Sequence, residues 1–396
     1  MRILLLADIH IGSIRDSEYV YNTITNIIDK EIILTHCDMV IILGDYFDRL
    51  FKVNDENVSL AINIMSYLVR ACLREKTKIR LIYGTESHEM NQYKLFNYHL
   101  TSSSIDMKII DTVTEESIDD YHILYVPEEY VDNKNKHYFK FFNSNKHYDY
   151  IFGHGIIEDG MPGIVSLSHE NNKNNEKQVP RFKSGELSSI SDICVFGHYH
   201  SHSKINNSVY YLGSLFRNSF GEETPKCYGI IEDKSISFIE NTNAYIYKTY
   251  EFETTSNIYI DMDSFIDEIK KIKDENNELF NDSKQGKIRL IFNTPINLDQ
   301  SFKEILKNLI NIDKHFSVVI NEPNDELINE IKEDLSNEYD FIIDPSLNIA
   351  DKIFRYICMQ YNDPPMTYDE LKEYLSKTSV NFTIFGKYID KLKVEE

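Results

Sequence analysis

Five short, mostly apolar runs in the first two hundred residues each end at a glycine or a polar residue. They are residues 2–7, 39–43, 79–83, 150–152 and 193–196. Such runs are typical of strands buried on both faces, as in a parallel sheet covered by other layers. Residues 17–36 and 54–74 have the spacing of apolar residues expected of helices. The pattern therefore predicts a wound α/β sheet whose strands end at a common edge.

Residues that can bind metal ions follow these runs. They are Asp8 and His10, then Asp45 and Asp48, then His88, then His154, and finally His198 and His200. Because ligands of wound sheets gather at the carboxyl ends of the strands, we expect these side chains to lie close together. Carboxylates and imidazoles without thiolates suit Mn²⁺, Fe²⁺ or Zn²⁺ better than Ca²⁺. Two such ions bridged by one carboxylate would polarise a phosphodiester and activate a water molecule.

The C-terminal part of the chain has a different pattern. Residues 203–252 predict short strands, residues 254–257 form a polar boundary, and helices then alternate with strands up to about residue 343. We predict three segments, namely a first domain over residues 1–252, a small α+β cap over 257–344 and a helical segment over 345–396. In the last segment, an apolar stripe precedes two prolines, and Thr367 with Glu370 predicts a capping box that opens another helix.

Composition limits the possible partners. The formal net charge is −22, and both halves of the chain are acidic, so a polyanionic substrate needs bound cations, a local basic cluster or a partner protein. The stretch from Lys134 to His147 is one such cluster. The five cysteines include no C-x-x-C pair and predict no disulfide framework. Without a membrane-spanning run or a signal peptide, we expect a cytoplasmic protein that has no contact with membranes.

The order of the motifs resembles a known enzyme superfamily. D-x-H at 8–10, G-D-x-x-D at 44–48, a glycine loop with His and acid at 84–89, G-H at 153–154 and G-H-x-H at 197–200 resemble the calcineurin-like metallophosphoesterases over about residues 1–250. The G-H-Y-H form, with Tyr211-Leu212-Gly213-Ser214 and Phe220-Gly221-Glu222 after it, is similar to SbcD-type nuclease subunits. The Asn- and Ile-rich composition suggests a phage-encoded or AT-rich bacterial version.

The resemblance implies a fold, a metal centre and residue roles. The fold is a two-sheet metallophosphoesterase sandwich flanked by helices, with the cap and C-terminal helices added. The centre holds two divalent ions, with Mn²⁺ expected. Asp8, His10 and His200 would hold one ion, His154 and His198 the other, and Asp45 would bridge them. His88 would contact the scissile phosphate or protonate the leaving oxygen, and Asp48 would orient a ligand.

The third motif departs from the family pattern. The family has Gly-Asn-His followed by an acid, whereas this chain has Gly84-Thr85-Glu86-Ser87-His88-Glu89, which is two residues longer. Counting back from His88 places Ser87 at the asparagine, which binds the second ion, whereas counting on from Gly84 places Thr85 there. Glu86 is a third alternative. The expected register of the histidine with the phosphate favours Ser87.

The resemblance also implies partners, and it leaves two alternative functions open. An SbcD-type subunit acts on DNA with an SbcC-type SMC-like ATPase, as a homodimer within a heterotetramer, and its C-terminal helices dock on the coiled-coil base of the ATPase. The segment 45–49 with His88-Glu89 also resembles protein phosphatases. His198-Tyr199-His200 favours the nuclease and small-phosphodiester branches instead. A non-catalytic scaffold is a further alternative, although His88 is present.

Overall fold

The computed structural model of the protein describes residues 1–52, 54–102, 104–142, 145–160, 180–253, 262–280, 285–293, 315–321, 354 and 367–371. The chain forms two compact units. The first contains Met1–Thr294 and Leu298–Asn321, and the second contains Pro295–Asn297 and Glu322–Glu396. All of the functional residues predicted from the sequence lie in the first unit.

The described strands alternate with helices from β1 to β4 and follow one another without a helix from β10 to β15. In chain order, they are β1 (Arg2–Leu6), β2 (Met39–Leu43), β3 (Lys78–Ile82), β4 (Met107–Ile110), β5 (Thr114–Ile118), β6 (Tyr121–Val126), β7 (Tyr148–His154), β8 (Ile156–Ile157), β9 (Arg181–Phe182), β10 (Ser191–Gly197), β11 (Ser203–Lys204), β12 (Val209–Tyr211), β13 (Cys227–Glu232), β14 (Ser235–Glu240), β15 (Ile246–Glu253), β16 (Gly286–Asn293) and β17 (Phe316–Asn321).

Two six-stranded sheets form the centre of the first unit. The first sheet has the order β14-β13-β1-β2-β3-β4 and the second the order β11-β12-β10-β7-β6-β5. The strands β1, β2, β3 and β4 are mutually parallel, as are β6, β7, β10 and β12, whereas the outer pairs are antiparallel. Each sheet therefore has a parallel centre, and the carboxyl ends of its central strands lie at one edge.

Helices α1 and α2 cover the outer face of the first sheet, and α5 and α6 cover that of the second. The described helices are α1 (Ser17–Ile28), continued by a π-helical segment at Asp29–Leu34, α2 (Glu56–Glu75), α3 (Glu86–Glu89), α4 (Asn97–Ser102), preceded by a 3₁₀ turn at Gln92–Phe96, α5 (Lys134–Tyr138), a 3₁₀ turn at Glu158–Gly160, α6 (Ser184–Ser188), α7 (Met262–Glu275) and α8 (Asn277–Phe280). Asp16 and Asp55 cap α1 and α2 by accepting hydrogen bonds from Tyr19 N and Asn57 N, respectively.

The continuous apolar runs are explained by the layers on both sides of each strand. Leu4 and Leu6 of β1 pack with residues of α1 and α2, whereas Ile3 and Leu5 face the second sheet. Side chains alternate across a strand, so both sets must be apolar when both faces are covered. The predicted α/β architecture with two sheets flanked by helices is therefore confirmed.

A third sheet has the order β15-β16-β17, with parallel pairing throughout. It packs with α7 and α8 around Ile272, Leu279 and Phe292. The strand β15 pairs with β16 and not with either large sheet, although the sequence pattern placed its residues at the end of the first domain. The predicted helices over 301–310 and 325–335, and the predicted strand over 341–343, lie outside the described residues.

Only a few residues of the second unit are described. The capping box predicted there is present, because Glu370 Oε2 accepts hydrogen bonds from Thr367 N and Oγ1 while Thr367 Oγ1 accepts one from Glu370 N. Most of the predicted helical segment 345–396 lies outside the described residues. Within the part of the chain that the structure describes, no helix is both long and apolar enough to cross a lipid bilayer.

Candidate metal centre

Residues from six strand ends converge at one edge of the two large sheets. They are Asp8, His10, Asp45, Thr85 and His88 from the ends of β1, β2 and β3, and Glu128, His154, His198 and His200 from the ends of β6, β7 and β10. The two sheets are tied together here by hydrogen bonds from His198 N to Asp8 Oδ1 (2.9 Å) and from Glu128 N to Tyr83 O (3.0 Å). The convergence follows from the parallel pairing at the centre of each sheet.

The backbone at this edge adopts conformations that are rare for residues with side chains. Among the described residues, eight non-glycine residues have positive φ, and four are in this group: Asp8 (46°), His10 (48°), Asp45 (48°) and His198 (93°). Such conformations cost about 1–3 kcal/mol each and cluster at functional sites. The tight packing also requires glycine at Gly44 and Gly197, where an added Cβ would lie 2.2 Å from His154 Nδ1 and from Leu43 O, respectively.

Asp8, His10 and His200 form one group of potential metal ligands. One ligand atom from each residue lies within 4.8 Å of the others, and the Nε2 atoms of His10 and His200 are 3.0 Å apart. Burial lowers the pKa of His10 to about 3, so that its imidazole is neutral near neutral pH. A neutral imidazole is the form that binds a metal ion.

Asp45 lies between this group and the residues of the second sheet. Its Oδ2 is 3.8 Å from His10 Nε2 and 3.4 Å from His154 Nε2. Burial favours the protonated carboxyl, but His154 and His10 outweigh that effect and hold the pKa of Asp45 below its usual range. An ionised carboxylate in contact with histidines from two sheets has the position expected of a bridging ligand.

His154, His198 and Glu128 form a second group of potential ligands. His154 Nδ1 donates a hydrogen bond to Leu43 O (2.7 Å), which leaves Nε2 directed at the carboxylates. Burial lowers the pKa of His154, but Asp45, Asp8 and Glu128 raise it by a larger amount, so the net shift is upward. These carboxylates favour positive charge at this point, and a metal ion is one way to supply it.

Sequence reasoning did not find Glu128. Its side chain is fully buried, and Oε2 lies 3.3 Å from His198 Nδ1 and 3.8 Å from His154 Nε2. The signal was present, because β6 is another apolar run that ends in a proline and an acid, Pro127-Glu128. The same rule that selected Asp45 after β2 applies to Glu128 after β6.

The third motif is arranged differently from the prediction. Ser87 is exposed and lines the cavity, whereas Thr85 is buried and donates hydrogen bonds from N (2.7 Å) and Oγ1 (3.2 Å) to the Asp45 carboxylate. Glu86 is also exposed. The structure thus places Thr85, rather than Ser87, against the central carboxylate, because α3 begins at Glu86 and its first two residues, Glu86 and Ser87, are exposed.

Glu89 holds the two loops of the first sheet together. Its carboxylate accepts hydrogen bonds from Tyr46 N and Gly84 N, each at 2.7 Å, and from the hydroxyl of Tyr93. Burial, with a smaller contribution from Asp45, raises the pKa of Glu89 to about 8. The acid of the third motif therefore fixes the backbone that carries Asp45 and Thr85.

His88 and Asp48 lie beside the first group. His88 Nδ1 donates a hydrogen bond to the backbone carbonyl of Asp48, and the His88 ring meets the His10 ring edge-on with centroids 5.0 Å apart. Asp48 Oδ1 is 3.9 Å from His10 Nδ1. His88 lines an open cavity of about 520 Å³ together with Ser13, Asn218 and Ser219. Nε2 of His88 is therefore the nitrogen left for a molecule in the cavity.

A chain of contacts orients His200. Its Nδ1 is 3.2 Å from Glu222 Oε1, and the other oxygen of Glu222 accepts a hydrogen bond from Lys226 Nζ (2.7 Å). The Lys226 side chain is fully buried and also donates to His200 O and Ser214 Oγ. A carboxylate on the far nitrogen of a histidine is a common support for metal binding.

Unpaired polar atoms show that these residues suit a cation. Six buried side-chain atoms of the described residues have no hydrogen-bond partner, and three of them, His10 Nδ1, His154 Nε2 and Glu128 Oε2, belong to this site. Unpaired buried groups are destabilising, so they need an explanation. Buried Asp and His side chains thus form groups that can hold a metal ion, as the sequence predicted.

Comparisons with known proteins add little. No family model matches the chain, and no curated protein matches it either. One solved crystal structure aligns with 61% of this chain and 99% of its own, with 11% sequence identity and a TM-score of 0.38. That similarity supports no argument, so the interpretation of the site depends on its own geometry.

Proposed function

We propose that the protein is a metal-dependent nuclease that hydrolyses phosphodiester bonds of DNA with a pair of divalent ions, Mn²⁺ being the expected metal. The observation that carries the proposal is the convergence of three carboxylates and five imidazoles beside an open cavity, with three buried side-chain atoms that have no hydrogen-bond partner. The order of the motifs in the sequence, which resembles the calcineurin-like metallophosphoesterases, adds independent support.

The residues divide into two ligand sets. Asp8, His10 and His200 would hold one ion, His154 and His198 would contribute to the other, and Asp45 lies where it can contact both. When bound, the ions would polarise the phosphodiester and lower the pKa of a water molecule so that it can attack phosphorus. The protein would contribute the placement of these ligands and the exclusion of water from their buried side.

His88 would act on the substrate directly. Its Nδ1 is held by the carbonyl of Asp48, which fixes the ring and leaves Nε2 for a phosphate oxygen or the leaving oxygen. Asp48 positions His88 through its backbone and lies near His10 through its side chain. This is the role that the motif order predicted for His88, and it requires no nucleophilic side chain.

The charge of the cavity supports a metal-dependent rather than a purely basic mode of phosphate binding. The described residues that line it include Asp45, Asp48 and Glu222 but no lysine or arginine. A polyanion could therefore bind here only with cations present. The proposed partners are those of an SbcD-type subunit, namely DNA, an SbcC-type ATPase and a second copy of the chain.

The test is hydrolysis by the purified protein. Metal-free protein is incubated with labelled single- and double-stranded DNA, with and without Mn²⁺, and in parallel with a phosphopeptide and a small phosphodiester. We expect Mn²⁺-dependent cleavage of DNA and none of the phosphopeptide. Release of phosphate from the phosphopeptide alone would favour a protein phosphatase, and metal binding without any hydrolysis would favour a scaffold.

A further inference from the structure

The third motif provides no amide oxygen for the second group of ligands. Thr85 is engaged with Asp45 on both its amide and its hydroxyl, and Ser87 is exposed. The group around His154 and His198 would therefore be one protein ligand short of the pattern that the resemblance implies. A different residue must complete it if two ions bind.

We propose that Glu128 completes this second metal site, as a carboxylate ligand from β6 that replaces the amide ligand from the loop after β3. The inference rests on the proposed use of two ions. The side chain of Glu128 is fully buried, and its Oε2 lies 3.3 Å from His198 Nδ1 and 3.8 Å from His154 Nε2. These three atoms surround a point that one divalent cation can occupy.

The backbone positions Glu128 for this role. Glu128 N donates a hydrogen bond to Tyr83 O, and Tyr83 is the residue immediately before Gly84 of the third motif. The strand end of β6 is thereby attached to the same loop that would otherwise carry the amide ligand. The replacement requires only that the Glu128 side chain, from the second sheet, reach the position that an asparagine in the loop after β3 would occupy.

The two oxygens of Glu128 are in different environments. Oε1 accepts a hydrogen bond from the Tyr130 hydroxyl at 3.3 Å, whereas Oε2 has no hydrogen-bond partner although it is completely buried. His154 Nε2, which faces it, is also unpaired. If Glu128 only formed an ion pair with His198, we would expect a well-aligned hydrogen bond between them, and His154 Nε2 would still lack a hydrogen-bond partner. A cation between the three residues would instead contact Glu128 Oε2, His198 Nδ1 and His154 Nε2.

The exchange of an amide for a carboxylate changes the charge of the centre. Asp8, Asp45 and Glu128 give three negative charges in place of the two that the resemblance implies. A harder, anionic oxygen ligand favours Mn²⁺ over softer ions at the second site. Glu128→Gln restores a neutral amide oxygen at the same position, and Glu128→Ala removes the ligand altogether.

Metal binding provides a test that does not depend on activity. Metal-free wild-type protein and the two Glu128 variants are titrated with Mn²⁺ by calorimetry, and the loaded proteins are examined by electron paramagnetic resonance, which distinguishes a spin-coupled pair from a single ion. We expect two ions in the wild type, one in Glu128→Ala, and two in Glu128→Gln with the second bound at least about 10-fold more weakly.

Two further variants separate the ligand from its neighbours. Glu129→Gln is the matched control, because Glu129 is the adjacent carboxylate and contacts His137 and Tyr138 instead of the metal group. Ser87→Ala tests the alternative ligand. Both are expected to bind two ions with wild-type affinity, and circular dichroism with thermal unfolding verifies that each variant is folded.

The outcomes are distinct. Two ions bound by Glu128→Ala with wild-type affinity, loss of the second ion in Ser87→Ala, or fewer than two ions in the wild type would each overturn the assignment of Glu128. A wild type that binds two ions, and loses one in Glu128→Ala, yet cleaves no DNA would refute the proposed nuclease function while the ligand assignment stands.

Discussion

Two buried charged clusters connect the large sheets, and they differ in how completely their charges are paired. The first surrounds Arg80, which donates hydrogen bonds to both oxygens of Glu116 at 2.8 Å and to the backbone at Ile79 O. Glu116 also accepts hydrogen bonds from Lys108 and from the Tyr125 hydroxyl. The second is the candidate metal centre, in which three buried side-chain atoms have no hydrogen-bond partner.

The difference indicates what each cluster does. The Arg80 cluster joins β3 of one sheet to β5 and β6 of the other, and its complete pairing is what a stabilising buried network requires. The metal centre combines unpaired atoms with four residues of positive φ, which lowers stability. The candidate metal centre has buried polar atoms without hydrogen-bond partners, as a binding site would, whereas the Arg80 cluster is completely hydrogen-bonded, as a structural network would be. The two differ in this way although both contain buried carboxylates and basic side chains.

The largest effect is expected from Asp45→Ala. Asp45 contacts histidines of both ligand groups, so its loss removes a carboxylate that lies between them. We expect Mn²⁺-dependent hydrolysis to fall below detection with every phosphodiester tested. Asp120→Asn, at an exposed aspartate at the opposite end of β6 from Glu128, is the control and should behave as wild type. Activity that persists in Asp45→Ala would contradict a two-metal site.

A smaller loss is expected from His88→Ala. His88 is held by Asp48 O and contributes no atom that the proposed mechanism assigns to an ion. Turnover should fall by about 10²–10⁴-fold, the range for loss of an acid or base, while both ions remain bound. Metal analysis of the variant checks this point. Loss of an ion together with activity would make His88 a ligand, as its proximity to His10 and Asp45 allows.

A substitution in the Arg80 cluster should lower the free energy of unfolding rather than the rate of hydrolysis. Glu116→Gln leaves the buried Arg80 with Asp106 as its remaining carboxylate, and we expect the free energy of unfolding to fall by about 1–3 kcal/mol in urea denaturation. Burial alone would raise the pKa of Glu116, but Arg80 and Lys108 lower it to about 2. The folded pKa lies below the unfolded one, so this stability is complete above about pH 4.5 and is lost as the pH falls toward 2.

The matched change in the metal centre is Asp8→Asn, measured on metal-free protein. Asparagine keeps an oxygen that can accept the hydrogen bond from His198 N and removes a buried charge. We expect the free energy of unfolding to stay the same or to rise by about 1 kcal/mol, as for other changes that relieve a strained functional site. A loss as large as that of Glu116→Gln would mean that the two clusters do not differ in the way proposed.

A limited loss of metal binding is expected from Glu222→Gln, which weakens the support of His200. Lys226 and His200 share the Glu222 carboxylate, and together they hold its pKa at about 2 against the effect of burial. We expect the affinity of the first ion to fall by about 10–100-fold, with the second ion unaffected. Glu223→Gln, at the next and exposed glutamate, is the control. Equal weakening of both ions would argue against a role specific to His200.

The amino-acid sequence by itself determined the strands of the two sheet centres and most of the ligand candidates. Continuous apolar runs can form only strands or helices that are buried on all sides, and polar residues directly after such short runs must lie at the sheet edge. Asp8, His10, Asp45, His154, His198 and His200 were found in this way, since each lies at the end of its strand or within a few residues after it. The relation between a strand and the residues that follow it in sequence does not depend on the order of the strands in the sheet.

Tertiary structure decided the features that depend on which strand ends are neighbours. Glu128 and Glu129 are adjacent acids after β6, and the sequence does not distinguish them, yet one contacts His198 and the other contacts His137. In the third motif, the start of α3 decided that Thr85 turns inward and Ser87 outward. The pairing of β15 with β16 was decided in the same way. Each outcome depends on contacts between residues far apart in the chain, which only the packed sheets bring together.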